Sequence, residues 1–361
     1  MFVQNNVSLA PHTTLQLGGE AKYFISIKTI EDLRYALEFC KKENLPFFIL
    51  GGGSNTIFRD SGFPGVIFKM QIPGIRCLDS NNEYTIFQVG AGVIWDHFVE
   101  FTIKQGLAGI ECLSGIPGSV GASPIQNIGA YGQEVKDSIL AVECMNPFGE
   151  IISITNQNCQ FRYRNSEFKS GIYKDYIVIS VTFQLSKEAA PCLRYPELQN
   201  LWDASNSENF NNGKSNLESR IQQMEIVRNM VIQLRNKKSM VLDENDPNTR
   251  SAGSFFTNPI LSDVDTEKFL QVAKKHGFEN PPIYTESPGY KKLSAAWLIE
   301  NSGIQKGTKY PGGVGISDKH CLGLINIEGT TSALLAMAES VRQRVFETFF
   351  VRLEMEPVVR P

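Results

Sequence analysis

One stretch limits what this chain can fold into more than any other. Residues 114–132 read Ser-Gly-Ile-Pro-Gly-Ser-Val-Gly-Ala-Ser-Pro-Ile-Gln-Asn-Ile-Gly-Ala-Tyr-Gly, with glycines at 115, 118, 121, 129 and 132 and prolines at 117 and 124. The prolines break regular helix or strand, and every glycine costs folding entropy. A run this dense needs left-handed backbone angles, or close approach of backbone to another group. Ser119, Ser123, Gln126, Asn127 and Tyr131 within it can hydrogen-bond. Gly51-Gly52-Gly53-Ser54-Asn55 is a second, shorter run upstream. Two such loops point to a long ligand that carries phosphate. Two structural turns are the plainer alternative.

The upstream run sits in an informative place. Thr29 and Asp32 have capping-box spacing, and Leu33, Ala36, Leu37 and Cys40 follow at helical spacing. Asn44 and Pro46 end that helix, and Phe47-Phe48-Ile49-Leu50 reads as a buried strand running into Gly51. The loop therefore lies at the C-terminal end of a strand, where α/β proteins tend to bind ligands. It lacks the Gly-Lys-Ser/Thr of a P-loop, and Thr56 stands where a Rossmann fingerprint needs its third glycine. Successive backbone N–H groups can still form an anion nest.

Elsewhere the pattern predicts strands at 66–68 and 84–89 and a helix carrying Trp95, Phe98, Val99 and Ile103. Residues 139–145 and 151–154 predict a hairpin. Residues 161–168, read as extended, would place Arg162 and Arg164 on one face. In 177–185 the residues Ile177, Ile179, Val181, Phe183 and Leu185 alternate onto one face. Residues 203–216 are polar and read as a junction or insertion. Ser215 and Glu218 then cap a helix striped by Leu217, Ile221, Met224, Val227, Val231 and Leu234. A helix over 293–299 should bury Trp297, and another stripe runs through Leu334, Ala338, Val341 and Val345. Residues 350–357 alternate as a strand, with Arg352, Glu354 and Glu356 on a solvated face.

Composition removes several function classes. Lys and Arg number 35 against 38 Asp and Glu, a net charge of -3, which argues against general nucleic-acid binding. No apolar run approaches the roughly 18 residues of a membrane span, and the first residues lack signal-peptide character. Seven cysteines without a C-x-x-C pair, and four scattered histidines, predict reduced thiols in the cytoplasm and no metal site.

Six motifs in order carry a family resemblance: 51–55, 115–132, the Phe-Arg-Tyr-Arg-Asn-Ser of 161–166, the Ala-Gly-Ser-Phe-Phe-Thr-Asn-Pro of 252–259, the Lys-Leu-Ser-Ala-Ala-Trp-Leu-Ile of 292–299, and the closing Leu-Glu-Met-Glu of 353–356. Together the chain resembles the MurB family, flavin reductases of bacterial peptidoglycan synthesis. The resemblance implies an α+β protein: an FAD-binding domain of the vanillyl-alcohol-oxidase type in two lobes, plus a separate α/β substrate-binding domain. The expected boundaries are 1–188 for the first (lobes about 1–70 and 71–188), 189–345 for the second, and 346–361 as a strand returning to the active site.

The implied reaction is NADPH-dependent reduction of UDP-N-acetylglucosamine enolpyruvate through non-covalent FAD. Gly51, Gly52, Gly53, Ser54, Asn55, Gly115, Ile116, Pro117, Gly118, Ser119, Gly121, Ala122, Ser123, Gln126, Asn127, Gly129 and Tyr131 would then hold the cofactor. Arg164 would hold the substrate's carboxylate and enolate charge, Ser254 would protonate C2, and Glu356 would stabilise the intermediate. Tyr195 is the expected substrate-closing tyrosine, with Tyr163, Lys238, Asn258 and Lys292 as further substrate contacts. The chain departs from the family pattern at Ala122-Ser123, at His12, and at Met355 between the two glutamates. A monomer without nucleic-acid or membrane partners is expected. A flavin oxidase of the same fold is one rival reading; it commonly tethers flavin to a histidine, and none is expected within or beside either glycine loop. A nucleotide-sugar binding protein without flavin is another.

Overall fold

The computed structural model describes residues 2–205 and 216–361. It divides into two compact units: one of residues 1–7, 22–52 and 64–241, the other of residues 8–21, 53–63 and 242–361.

The first unit is built on two sheets. One orders its strands Val3–Ser8, Glu20–Ile27, Phe63–Met70 and Phe47–Leu50, the last two parallel. The other is antiparallel, in the order Ile151–Thr155, Ile139–Met145, Ile177–Ser186, Tyr84–Gly90 and Ile75–Ser80. The helix Ile30–Glu43 starts as its sequence requires: Asp32 N–H donates to Thr29 Oγ1 at 3.0 Å, and Thr29 N–H donates back to Asp32 at 3.0 Å. Ile177–Ser186 is the central strand of its sheet. Val178 and Ser180 are therefore buried along with Ile177, Ile179, Val181, Phe183 and Leu185, so its first half is covered on both faces rather than one. Trp95, Phe98, Val99 and Ile103, on the helix Trp95–Ile103, pack into this core.

Residues 189–241 pack with the first unit, which divides the chain differently from a boundary near 189. The reason is the long helix Asn216–Asn236. Its stripe Val227, Met230, Val231 and Leu234 is buried against Cys112 and Leu198, the latter on the helix Pro196–Ser205. That earlier helix takes in 203–205 of the expected insertion; the remainder up to 215, with the Ser215 cap, lies outside the described residues.

The second unit buries Phe269, Leu298, Leu334, Val341, Val345 and Phe349 from the helices Asp263–Lys275, Ala295–Asn301 and Thr331–Phe349. Trp297 is only half-buried; its ring meets Phe269, Phe278 and Phe349 edgewise or tilted. Thr56–Phe58 pairs in parallel with Val358–Arg360. Among the described residues no helix is long and apolar enough to cross a membrane.

Candidate active site

In the first unit Gly51 and Gly52 of the short run meet the long glycine run backbone to backbone. A Cβ on Gly52 would lie 2.6 Å from Gly118 Cα, and one on Gly51 would lie 2.7 Å from Ser119 Oγ. A Cβ on Gly121 would lie 2.5 Å from Ala91 Cβ. These glycines are required by contact, since no side chain fits between the strands of chain. Gly115 and Gly118 add left-handed angles, φ +71° and +132°. Asp96 holds the start of the long run: its Oδ1 accepts from Gly115 N–H at 2.6 Å, and its two oxygens take Arg228 bidentate at 2.7 Å each. Burial opposes ionisation of Asp96, but the bonds from Arg228 and Gly115 outweigh it and hold the carboxyl below its ordinary range.

Beside Gly115 lies a group the sequence reading did not single out. A Cβ on Gly115 would come 3.4 Å from Arg235 Nε. Arg235 Nη2 donates to Met240 O at 2.7 Å, while Nε is buried without an acceptor among the described residues. Burial pulls the guanidinium below its ordinary value, yet arginine keeps its charge in proteins. A buried cationic donor lacking an acceptor, beside a loop stripped of side chains, fits an anionic nucleotide cofactor such as FAD. The one legible signal was an arginine directly after Leu234, the last buried position of the helical stripe.

The catalytic arginine expected in 161–166 sits on a tight turn, not an extended strand. Arg162 and Asn165 exchange backbone hydrogen bonds of 2.9 and 3.1 Å, which puts Tyr163 and Arg164 at the corner and Arg164 at φ +52°. That angle is costly for a non-glycine residue, and three bonds to the long glycine run hold it. Asn127 Nδ2 donates to Arg162 O (3.1 Å), Ser166 Oγ to Ile125 O (2.7 Å), and Arg164 Nη2 to Gly129 O (2.8 Å). Arg164 also lies over the Tyr163 ring, 5.3 Å from its centroid. The Asn127 amide further donates to Glu134 and accepts from Lys136 N–H, so its side chain positions the turn. Ser123 Oγ donates to Val120 O at 2.7 Å within the loop.

Tyr131, at φ +48°, meets Tyr195 edge-on with centroids 5.1 Å apart, and burial pushes its phenol up to about 12. Lys238 reaches Glu197, two residues past Tyr195, at 3.5 Å.

The segments that carry Ser254 and Glu356 meet in the second unit. Gly253 (φ +70°) turns the chain before Ser254, Phe255 N–H donates to Leu322 O at 2.8 Å, and Glu356 N–H donates to Phe255 O at 2.9 Å. The expected strand over 350–357 is absent. Met355 makes a single bridge to Phe256, and the regular strand starts at Val358. The alternation slips there, leaving Met355 and Glu354 exposed and turning Glu356 half inward, off the solvated face. Asn55 is tied to the same segment: its Nδ2 donates to Glu356 O at 3.3 Å, and its carbonyl accepts from Val358 N–H at 3.0 Å. Gly53 packs against the His12 carbonyl, so a histidine does lie beside this loop in space, facing it with backbone. Asn258 Oδ1 accepts from Ala295 N–H at 2.9 Å, capping the helix Ala295–Asn301, and Lys292 pairs with Glu286 at 2.6 Å. Among the described residues no His, Cys, Asp or Glu cluster could hold a metal ion.

A family model described as an FAD binding domain matches residues 21–155, and one described as the C-terminal domain of UDP-N-acetylenolpyruvoylglucosamine reductase matches residues 246–360. The chain is 41% identical to UDP-N-acetylenolpyruvoylglucosamine reductase of Thermobifida fusca, over 98% of this chain and 97% of that one. It is 38% identical to the protein of that name from Salinispora arenicola, over 97% and 94% of the two chains. The crystal structure of the Thermus caldophilus reductase superimposes with a TM-score of 0.65 at 24% identity, covers both chains completely, and so shows the same fold. Alike to these reductases over nearly its whole length, and matched by the model of their C-terminal domain, the chain belongs to the UDP-N-acetylenolpyruvoylglucosamine reductase family.

Proposed function

We propose that this chain reduces UDP-N-acetylglucosamine enolpyruvate to UDP-N-acetylmuramate for peptidoglycan synthesis, acting as a monomer in the cytoplasm. It is an FAD-dependent oxidoreductase, and FAD supplies hydride taken from NADPH. The unit of 22–52 and 64–241 holds the cofactor, and the unit built mainly of 242–361 carries the proton donor. Arg164 binds the substrate carboxylate and neutralises the enolate charge that grows when hydride reaches C3. Ser254 gives its proton to C2, and Glu356 stabilises the charged intermediate beside it. Arg235 and the backbone N–H groups of both glycine runs offset the cofactor's negative charge. Tyr195 and Tyr163 contact the substrate, with Lys238, Asn258 and Lys292 as outer contacts whose present partners they would share or exchange. Seven cysteines free of disulfides support the reducing compartment.

The observation that carries the reading is the Arg164 turn. A left-handed arginine held by three bonds to a glycine cradle is a conformation maintained at a cost, as strain at functional sites is. Ser254→Ala tests it. NADPH should still reduce the flavin, while turnover with the enolpyruvyl substrate falls by about 10²–10⁴, the usual loss for a missing proton donor. Unchanged turnover would remove Ser254 from the chemistry.

A further inference from the structure

A small apolar cluster of the first unit gathers two cysteines that the reaction does not use. Cys112 is fully buried just ahead of the long glycine run; Cys192 is half-buried three residues before Tyr195. The Cys112 thiol donates to Cys192 O at 3.1 Å, and the Cys192 thiol donates to Gly132 O at 3.9 Å. One buried polar pair fixes both backbones. Gln133 Oε1 accepts from Cys112 N–H (2.8 Å), Gln133 Nε2 donates to Glu111 Oε1 (2.9 Å), and that same oxygen accepts from Cys192 N–H (2.9 Å). Glu111 Oε2 accepts from Gly109 N–H at 2.7 Å, so the carboxylate cannot swing away. The Cys112 thiol is therefore held at Cys192, within one apolar cluster, although 80 residues separate the two in sequence.

We infer that Cys112 and Cys192 form a reversible disulfide when the protein meets hydrogen peroxide, and that this bond clamps the Tyr195 segment against the Tyr131 end of the glycine run. Cys192 is the half-buried member of the pair and so the sulfur a peroxide reaches first, and the neighbouring Cys112 thiol holds it below the ordinary thiol range, which raises its thiolate fraction. That thiolate attacks one peroxide oxygen: an S–O bond forms, the O–O bond breaks, and the departing hydroxide takes a proton to leave as water. Cys112 sulfur then attacks the sulfenic acid, the S–S bond forms, the S–O bond breaks, and the thiol proton leaves with the second water. The two sulfurs lose two electrons, and the peroxide gains them. Cys144 and Cys159 make an internal contrast. Both are fully buried, and burial raises both thiols, so a polar oxidant neither reaches nor activates them.

The Cys192–Tyr195 segment runs along Gly132, where a Cβ would lie 2.9 Å from Arg194 Cβ and 3.6 Å from Tyr195 N. A covalent tie at Cys192 thus restrains Tyr195 directly. The effect on turnover rests on the substrate role proposed for Tyr195; the disulfide itself does not. The test treats the FAD-loaded protein with hydrogen peroxide, alkylates it under denaturing conditions, and maps the peptides by mass. The expected product joins the Cys112 and Cys192 peptides, is lighter by two hydrogens, leaves five cysteines alkylated, and reverts with dithiothreitol. Cys192→Ser should abolish it while leaving the reduced protein's activity intact. Cys192 oxidised to sulfinic acid beside an alkylated Cys112, or a link between any other pair, would overturn the inference. In the oxidised protein KM for the enolpyruvyl substrate should rise several-fold with NADPH reduction of the flavin unchanged. An unchanged KM at full crosslinking would refute the clamp on Tyr195.

Discussion

Asp96 is the sharpest place to test how the cofactor loop is held. Its carboxylate has two duties, the bidentate pair with Arg228 and the bond from Gly115 N–H. The side chains of Arg228 and Asp96 are 14% and 29% exposed, so the pair is neither a rim contact nor fully dry. Breaking a buried pair costs about 3–5 kcal/mol and an exposed one under about 1, which places this pair near 2 kcal/mol. The Gly115 bond adds about 1 kcal/mol. Asp96→Ala should therefore cost about 3 kcal/mol of stability in urea titrations. Asp96→Asn keeps an acceptor for Gly115 and should cost about 1–2 kcal/mol. A loosened Gly115 should also weaken FAD binding, by about tenfold for each 1.4 kcal/mol that reaches the loop, read from flavin fluorescence.

The pH dependence has a definite sign. The folded-state pKa of Asp96 is depressed, so its contribution is fully present above the unfolded value of about 3.9 and is lost as pH falls through the folded-state value. The wild type should lose its advantage over Asp96→Asn in that acid window and keep it at pH 7. Equal losses for the Asn and Ala variants would show that the Gly115 bond contributes nothing. A loss under about 0.5 kcal/mol for both would mean the pair behaves as a surface pair, and the account of the loop would fail.

Gly52→Ala should cost about 1–3 kcal/mol and cut flavin content, because its methyl meets the Gly118 backbone, whereas Gly74→Ala, whose methyl meets nothing within 4 Å, should cost stability through its φ of +110° alone and leave the flavin content of the folded protein unchanged; comparing absorbance at the flavin band decides. Arg235→Met keeps the stem but removes the buried donor, so FAD affinity should fall about tenfold or more with modest change in melting temperature, and retained affinity would rule out a cofactor contact. Glu356→Gln should change the pH–rate profile while Glu354→Gln does not, since only Glu356 is turned inward next to Phe255; equal effects would reverse that assignment.

Local features were readable from the sequence. The Thr29 cap, the hairpin of Ile139–Met145 with Ile151–Thr155, and the strand Ile177–Ser186 all follow from short-range pattern. The glycine runs were legible as loops, and their mutual contact explains why the glycines are needed. What escaped was decided at long range. Nothing local decides whether residues 161–168 are extended; Asn127 and Ile125 bend 162–166 into a turn through bonds across some 35 to 40 positions. Glu356 read as solvated because alternation cannot show that the main chain after Leu353 bonds to Phe255 instead of continuing a strand. Asp96 and Arg235 drew no reading from the sequence, because nothing local shows Gly115 arriving beside them.

The second unit draws on three separated segments, and its strand Thr56–Phe58 pairs with Val358–Arg360. During synthesis Thr56 is made hundreds of residues before its partner exists. The early segments 8–21 and 53–63 must wait, with strand edges and apolar side chains such as Leu15, Leu17 and Ile57 uncovered, until residues near 358 leave the ribosome. Such pairing is slow, because loop closure is costly before any contact compensates it. The chain should depend on holding chaperones while it is made, and removing its last four residues should impair folding yield more than it impairs the stability of molecules already folded.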